Sequence, residues 1–235
     1  MPKLVLFDID GTLVLTGGAG IRALDRAGEA VLGVRNLIDG IPVAGRTDWI
    51  ILHDAVKRQG RRLDDDLLGQ LREAYLTALR EEILLPGRGV KAVMPGVEPL
   101  LEHLSGRDDV FLGLLTGNFQ ESARIKLEHF DLWRYFKCGA FGDDAADRNA
   151  LVPFALERAR SCGLDDEVPY EDVFVIGDTP HDVACANAVG AVPIAVATGS
   201  YTVEQLRETG SPVVLPDLSD TTAVARLFAA ERAAD

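Results

Sequence analysis

The sequence predicts an α/β fold in which helices cover both faces of a parallel sheet, with an all-helical segment inserted after the first strand. Three observations support this. After residue 94, short apolar runs alternate with stretches of helical periodicity, a pattern typical of parallel strands joined by helical crossovers. Small or polar residues follow several of the apolar runs directly. From about residue 18 to residue 85, the pattern is helical, with no strand candidate of useful length.

The first strand is predicted over residues 3–8, and a glycine-rich connector follows it over 13–20. Helices are predicted from residue 21, over 47–59 with Thr47 as N-cap, and over 65–84, where Pro86-Gly87 ends the last one. Because glycine-rich and proline-rich joints flank this helical block, we predict one domain over 18–88 and a second over 1–17 and 89–235.

The second half of the chain contains the alternating elements. Helices are predicted over 97–105, 120–130, 151–162, 183–189 and 203–209, and strands over 110–115, 138–141, 172–176, 192–196 and 213–215. A last helix is predicted in the segment that begins at Asp217.

Composition narrows the class of partner. The 235 residues are 47% hydrophobic and carry a net charge of -13, which argues against a nucleic-acid or anionic-membrane surface.

Cys138, Cys162 and Cys185 lack metal-ligand spacing, so we expect reduced thiols that are at least partly buried. The N-terminus shows no basic region and no apolar run near 18 residues, so a cytoplasmic protein is expected. The oligomeric state is expected to be a monomer or a homodimer.

Two carboxylates, Asp8 and Asp10, follow the first strand directly, in the stretch Asp8-Ile9-Asp10-Gly11-Thr12. At the carboxyl end of a central parallel strand, they face the crevice where open α/β sheets bind ligands. Two like charges this close need a cation, or a proton on one of them, because each raises the pKa of the other. The alternative is a solvated, Asp-rich turn.

Polar residues also follow later strands, and the carboxyl ends of parallel strands lie on one edge of a sheet. These residues are Thr116, Gly117, Asn118, Arg148, Asp178 and Asp182. Four carboxylates at one edge predict an oxygen-preferring divalent cation, usually Mg²⁺ where a phosphate oxygen is also present. The hydroxyl, amide and guanidinium donors suit a phosphoryl group, whose charge spreads over three equatorial oxygens during transfer.

The pattern resembles the haloacid dehalogenase-like hydrolases, in their phosphatase branch with a helical cap after the first strand of a Rossmann-like core. The resemblance rests on Asp8-Ile9-Asp10-Gly11-Thr12-Leu13, Thr116 and Gly177-Asp178-Thr179-Pro180-His181-Asp182 in this order. It implies that Asp8 is the nucleophile that forms an aspartyl-phosphate and that Asp10 is the acid and base.

The same resemblance implies the ligands. Asp8, the backbone carbonyl of Asp10 and Asp178 would hold Mg²⁺, and Asp182 would contact it directly or through water. Thr116 would bind a phosphoryl oxygen.

Residues 143–153 depart from the family pattern, which usually places a lysine in this region. Arg148 is the cation available there. Its guanidinium can bind phosphate in bidentate geometry, although arginine and lysine differ in reach. The alternative is a surface arginine that pairs with the neighbouring acids Asp143, Asp144 and Asp147.

The loop that joins the first two predicted helices contains Gly45, Arg46 and Thr47, which are candidates for substrate selection. Arg46 would bind the carboxylate of a substrate such as phosphoglycolate. The alternative is an ordinary loop with a surface arginine.

The sequence therefore predicts a Mg²⁺-dependent phosphomonoesterase for a small phosphorylated metabolite, similar to phosphoglycolate phosphatases. Two alternatives remain at this point. A β-phosphoglucomutase-like enzyme would return the phosphoryl group to a sugar, and a catalytically silent module would bind without turnover.

Overall fold

The computed structural model describes residues 2–165 and 167–228. The strands in these ranges are β1 (Lys3–Phe7), β2 (Val14–Thr16), β3 (Lys91–Val93), β4 (Val110–Leu115), β5 (Cys138–Ala140), β6 (Val173–Gly177), β7 (Val192–Val196) and β8 (Val213–Leu215). Six of them form a parallel sheet in the order β5-β4-β1-β6-β7-β8, and β2 pairs with β3 alone, in antiparallel orientation.

The helices are α1 (Ala19–Leu32), α2 (Asp48–Arg58), α3 (Asp65–Glu82), α4 (Val97–Ser105), α5 (Gln120–His129), α6 (Leu151–Ser161), α7 (Pro180–Asn187), α8 (Val203–Arg207) and α9 (Thr221–Leu227). Most of their bounds agree with the sequence prediction within one or two residues. Among these helices, none is both long and apolar enough to cross a membrane.

Strand β1 lies in the middle of the sheet, hydrogen-bonded to β4 on one side and β6 on the other. Its side chains alternate between two apolar clusters. Val5 and Phe7 pack with residues of α4, α5 and α9, whereas Leu4 and Leu6 pack with residues of α6 and α7. Helices therefore cover both faces of the sheet, which confirms the predicted fold class.

Helices α1, α2 and α3 share a third apolar cluster, to which Leu24, Leu52 and Tyr75 belong. We call residues 17–90 the helical segment. The antiparallel pair of β2 and β3 joins both ends of this segment to the sheet domain, and Gly17 and Gly87 are so close that a side chain on Gly87 would overlap the Gly17 backbone.

The prediction of a plain connector over 13–20 is therefore wrong, because Val14–Thr16 forms a strand. Each of the two strands has three residues, too few to show a period, and the partner is distant in the sequence. The domain boundaries at 18 and 88 stay a prediction.

Helix starts follow the side chains that cap them. The Thr47 hydroxyl accepts a hydrogen bond from the Ile50 N–H, as its predicted role as N-cap requires. Helix α7 begins at Pro180, three residues before the predicted start, because Thr179 and Asp182 form a reciprocal capping box.

The cysteines differ in exposure: Cys185 is buried and Cys138 intermediate, but Cys162 is exposed, contrary to expectation.

Candidate active site

The candidate site lies at the carboxyl edge of the sheet, where β1, β4 and β6 end side by side. Asp8, Thr116 and Asp178 are the first residues after these three strands. The Asp8 N–H donates to the Ile176 carbonyl over 2.9 Å, so the hydrogen bonding between β1 and β6 extends to the start of the site. The parallel register thus brings together residues that are up to 170 positions apart in the sequence.

Asp8, Asp178 and Asp182 form a buried carboxylate cluster, in which one oxygen of each residue lies within 4.8 Å of the others. The Thr12 hydroxyl donates to Asp178 Oδ1 over 3.1 Å. Burial, and then the charge of Asp8, raises the pKa of Asp178 to about 8. Burial also raises the pKa of Asp8 to about 6. Asp178 therefore requires positive charge nearby to stay ionised near neutral pH.

Arg148 supplies part of that charge. Its Nη2 lies 3.0 Å from Asp8 Oδ1 and 2.5 Å from Asp182 Oδ1, and the side chain is buried. Burial alone would lower the pKa of Arg148, but the carboxylates of Asp182 and Asp8 outweigh it and hold this pKa above its ordinary value. Within the described residues, Arg148 Nε has no hydrogen-bond partner.

The structure contradicts the alternative in which Arg148 is a surface arginine that pairs with the acids before it. Asp143 pairs with Arg72 and Asp144 with Arg158. Arg148 instead points into the site from a short 3₁₀ turn after β5.

Asp182 is held by the protein through both of its oxygens. Oδ2 accepts hydrogen bonds from the N–H and the hydroxyl of Thr179, at 3.0 and 2.8 Å, while Oδ1 accepts from Arg148. The capping box of α7 thus fixes the carboxylate beside Asp8.

Asp10 is placed differently from Asp8. Its side chain is 44% exposed, and Oδ2 accepts hydrogen bonds from Lys126 Nζ at 2.6 Å and from Asn118 Nδ2 at 2.8 Å. The Asp10 carboxylate is not a member of the carboxylate cluster in the described structure. The Asp10 side chain instead lines the cavity between the sheet domain and the helical segment.

Thr116 and Asn118 form a small hydrogen-bonded unit after β4. The Thr116 hydroxyl accepts from the Asn118 N–H at 3.3 Å and from Nδ2 at 2.8 Å, and it is fully buried. Between them, the Gly117 carbonyl accepts from the Asp48 N–H at 2.7 Å. The main chain at Gly117 therefore contacts the helical segment.

The loop that contains Gly45, Arg46 and Thr47 touches the sheet domain through small groups. Gly45 has a φ of +68°, and a Cβ there would lie 2.5 Å from the Thr179 hydroxyl. The Thr47 hydroxyl donates to the Ala146 carbonyl over 2.9 Å. The helical segment thus rests against the site in this structure.

The Arg46 guanidinium bonds within the helical segment, to the Pro42 carbonyl at 3.0 Å and to Asp54 Oδ2 at 2.5 Å. Arg46 lines the cavity, but it already has a carboxylate partner. Its role in substrate selection stays a prediction.

Two functional candidates were missed by the sequence reasoning. Lys126, in α5, is buried and donates to both Asp10 and Asn118, each over 2.6 Å. The sequence does contain an indication of this role. Lys126 lies on the buried face of α5 with Ser122, Ala123 and Leu127, which are small or apolar, so a lysine is unexpected there. Asp48, at the start of α2, is buried and accepts from the Phe119 N–H at 2.9 Å.

A cavity of about 690 Å³ opens above these groups, between the sheet domain and the helical segment. Asp8, Asp10, Thr116, Arg148 and Asp178 line its floor. A substrate in this cavity would therefore meet the carboxylate cluster on one side and the three helices on the other.

Comparison with known proteins assigns the family. The family model for haloacid dehalogenase-like hydrolases matches residues 2–190. The chain belongs to this family, and it is therefore an enzyme of the hydrolase class, as the motifs predicted.

Relatives and solved structures agree with this assignment. The chain is 27% identical over 232 residues to the "Probable phosphatase IndB" of Dickeya dadantii, covering 96% of this chain and 94% of the relative. It is 25% identical over 224 residues to phosphoglycolate phosphatase 1 of Pseudomonas aeruginosa, covering 94% and 78%. A hydrolase structure from Pseudomonas syringae superposes with a TM-score of 0.67 at 20% identity, covering 98% of this chain and 100% of that one, which supports the fold.

Proposed function

We propose that this protein is a Mg²⁺-dependent phosphomonoesterase that acts on a small phosphorylated metabolite through an aspartyl-phosphate at Asp8. The observation that carries the proposal is the contact of Asp8 with Arg148 over 3.0 Å, inside a buried cluster of three carboxylates. The relatives named as phosphatases support the same reaction class.

The charges of the site fit a divalent cation. In the described part of the carboxylate cluster, the three carboxylates of Asp8, Asp178 and Asp182 face one cation, Arg148, which leaves two negative charges uncompensated. Asp178 has a hydroxyl as its hydrogen-bond donor and no cation in the described structure. A donor set made of oxygen atoms suits Mg²⁺.

Asp8, Asp178 and the backbone carbonyl of Asp10 are the groups that would hold the ion, and Asp182 would contact it directly or through water. When bound, Mg²⁺ supplies positive charge to the phosphoryl oxygens.

Asp8 and Asp10 carry out the chemical steps. An Asp8 oxygen attacks phosphorus, the bond from phosphorus to the ester oxygen breaks, and Asp10 gives its proton to the departing alcohol. Asp10 next takes a proton from a water molecule, whose oxygen attacks phosphorus and releases phosphate and free Asp8. Lys126 and Asn118 orient Asp10 for both steps through the hydrogen bonds described above.

Donors for the phosphoryl oxygens come from two places, the loop after β4 and the short turn that contains Arg148. The Thr116 hydroxyl and the Gly117 and Asn118 amides lie after β4, and the Arg148 guanidinium carries the buried Nε that has no protein partner among the described residues. A phosphoryl oxygen would satisfy such a donor, whose desolvation is otherwise uncompensated.

Residues 18–88 of the helical segment act as the cap. It rests on the site through Gly45 and Thr47, so it can exclude water from the reacting groups and present its own wall to the alcohol. Opening would take place where β2 and β3 join the cap to the sheet domain.

The test is release of phosphate from a panel of phosphate esters, with Mg²⁺ and with EDTA. Asp8→Asn keeps the side-chain volume but removes the nucleophile, so we expect no measurable turnover, while Asp39→Asn, an exposed aspartate on the helical segment, keeps full activity. Activity of Asp8→Asn within tenfold of wild type would contradict the nucleophile assignment. Hexose phosphates that interconvert without phosphate release would indicate a mutase instead.

A further inference from the structure

The wall that the helical segment presents to the cavity is mainly apolar, although Arg22, Arg46 and Asp48 also line it. Ile21, Leu24, Val43 and Ile51 line it together with Tyr75. A wall of this composition suits hydrocarbon better than a carboxylate or a sugar, because polar groups lose hydration there without gaining partners.

The mouth of the cavity is apolar as well. Five large hydrophobic side chains are exposed in the described parts of the chain, and two of them, Ile21 (45%) and Val90 (66%), line this cavity. They come from the two opposite ends of the helical segment, which the pairing of β2 with β3 brings side by side. A substrate that contacts both side chains would remove apolar surface from water.

The cations along this wall already have anionic partners. Arg22 donates to Glu82 Oε2 over 2.7 Å and to the Gly17 carbonyl over 2.6 Å. Arg46 is paired with Asp54, as described above. A substrate carboxylate would have to displace one of these partners, which breaks an ion pair that the protein already has. Arg88, at the cavity mouth, is exposed to water, where an ion pair contributes little to binding.

The size of the cavity also favours a substrate larger than a two-carbon acid. Its volume of about 690 Å³ is measured with the Gly45 loop so near Thr179 that a Cβ on Gly45 would overlap the Thr179 hydroxyl. That volume falls within the range of about 300–1,000 Å³ that encloses drug-sized ligands. A two-carbon acid would leave most of it filled with water.

We infer that the alcohol half of the substrate is a mainly apolar group, an extended chain or a ring, that packs between Ile21 and Val90. This inference rests on the proposed phosphatase function and names the substrate class for the same site. It disagrees with the sequence-based prediction that Arg46 selects a carboxylated ester, and one set of substrates distinguishes the two.

The experiment measures kcat/KM, as released phosphate with Mg²⁺, for ethyl, butyl and hexyl phosphate, phosphoglycolate and glucose 6-phosphate. Each methylene that becomes buried increases kcat/KM up to about fourfold, from ~0.8 kcal/mol per buried CH₂. We expect hexyl phosphate to exceed ethyl phosphate at least tenfold, and to exceed phosphoglycolate and glucose 6-phosphate. A flat alkyl series, or phosphoglycolate as the best substrate, would overturn the inference.

Variants place the effect in the cavity. Ile21→Ser and Val90→Ser should each lower the ratio of hexyl to ethyl phosphate at least fivefold. Leu84→Ser is the matched control, because Leu84 is 72% exposed on the same segment but does not line the cavity, and it should keep the ratio. An unchanged ratio in both cavity variants would refute the packing. Absence of Asp8-dependent phosphate release from every ester would refute the proposed function itself, and the inference with it.

Discussion

Lys126 offers the sharpest test of the site, because its function could not be inferred from a motif. Lys126→Met keeps most of the aliphatic stem that packs in α5 but removes the ammonium that donates to Asp10 and Asn118. Asp10 would then keep a single donor in the described structure, Asn118 Nδ2. We expect this carboxylate to leave the orientation that proton transfer requires.

The expected magnitude follows from the bond that is lost. A hydrogen bond to a charged group contributes about 1.5–3 kcal/mol, so kcat should fall roughly ten- to 150-fold. Stability should change little, because Asp10 is 44% exposed and water can solvate the carboxylate once the lysine is gone. A loss below about 1 kcal/mol corresponds to a decrease in Tm of a few degrees for a chain of this size.

The assay is steady-state phosphate release, together with thermal unfolding of the same preparations. Arg124→Met is the matched control, because Arg124 lies on the same helix and forms an ion pair with Glu128 in which both side chains are about half exposed. Such a pair contributes little, so this variant should behave as wild type. If Lys126→Met retains kcat within threefold of the control, Lys126 does not position Asp10. A large decrease in Tm would place Lys126 in the fold instead.

Three further predictions follow from the geometry. Arg148→Ala should lower kcat on the order of 10²-fold or more, as removal of a charged transition-state contact can, and Arg148→Lys should recover part of it; an alanine variant with parental kcat would refute the assignment. Burial raises the pKa of Asp48 to about 6, so its proton stabilises the folded state fully below about pH 4, and this contribution is lost as the pH rises through 6. The free energy of unfolding, measured with urea, should therefore lose a contribution on the order of 3 kcal/mol between pH 4 and 7, and Asp48→Asn should remove this part of the pH dependence. An unchanged pH dependence in this variant would contradict the prediction. A Cβ on Gly199 would overlap the Asp178 carboxylate, so Gly199→Ala should raise the Mg²⁺ concentration for half-maximal activity, whereas Gly69→Ala, which has open space, should not.

The sheet was predictable because its strands are buried on both faces and appear as continuous apolar runs. β4 and β7 have the predicted bounds, residue for residue. The antiparallel pair of β2 and β3 was not predictable from the alternation of apolar and polar residues, since each strand has only three residues. Three helices also separate the two strands in the sequence. The start of α7 was missed because a capping box inside a strand-ending loop has no apolar periodicity.

The candidate site was predictable at the level of strand ends, since parallel topology alone brings Asp8, Thr116 and Asp178 together. Partners of single side chains were not predictable. Lys126 meets Asp10 across 116 positions, and which face of α5 points at the site depends on how that helix packs. The pairing of Arg46 with Asp54 likewise depends on the path of the loop before α2.

The two buried cations of the site, Lys126 and Arg148, pair with different carboxylates. This separation explains how an arginine can stand where the family pattern usually has a lysine. Lys126 contacts Asp10 and not the carboxylate cluster, so it does not neutralise the proposed nucleophile. Arg148 reaches Asp8 and Asp182 with one nitrogen, which leaves Nε free of protein partners among the described residues. A lysine ammonium would have to serve both carboxylates and a phosphoryl oxygen from one nitrogen, whereas a guanidinium carries separate nitrogens in a fixed plane. Arginine at this position can therefore hold the nucleophile and bind the group that is transferred at the same time.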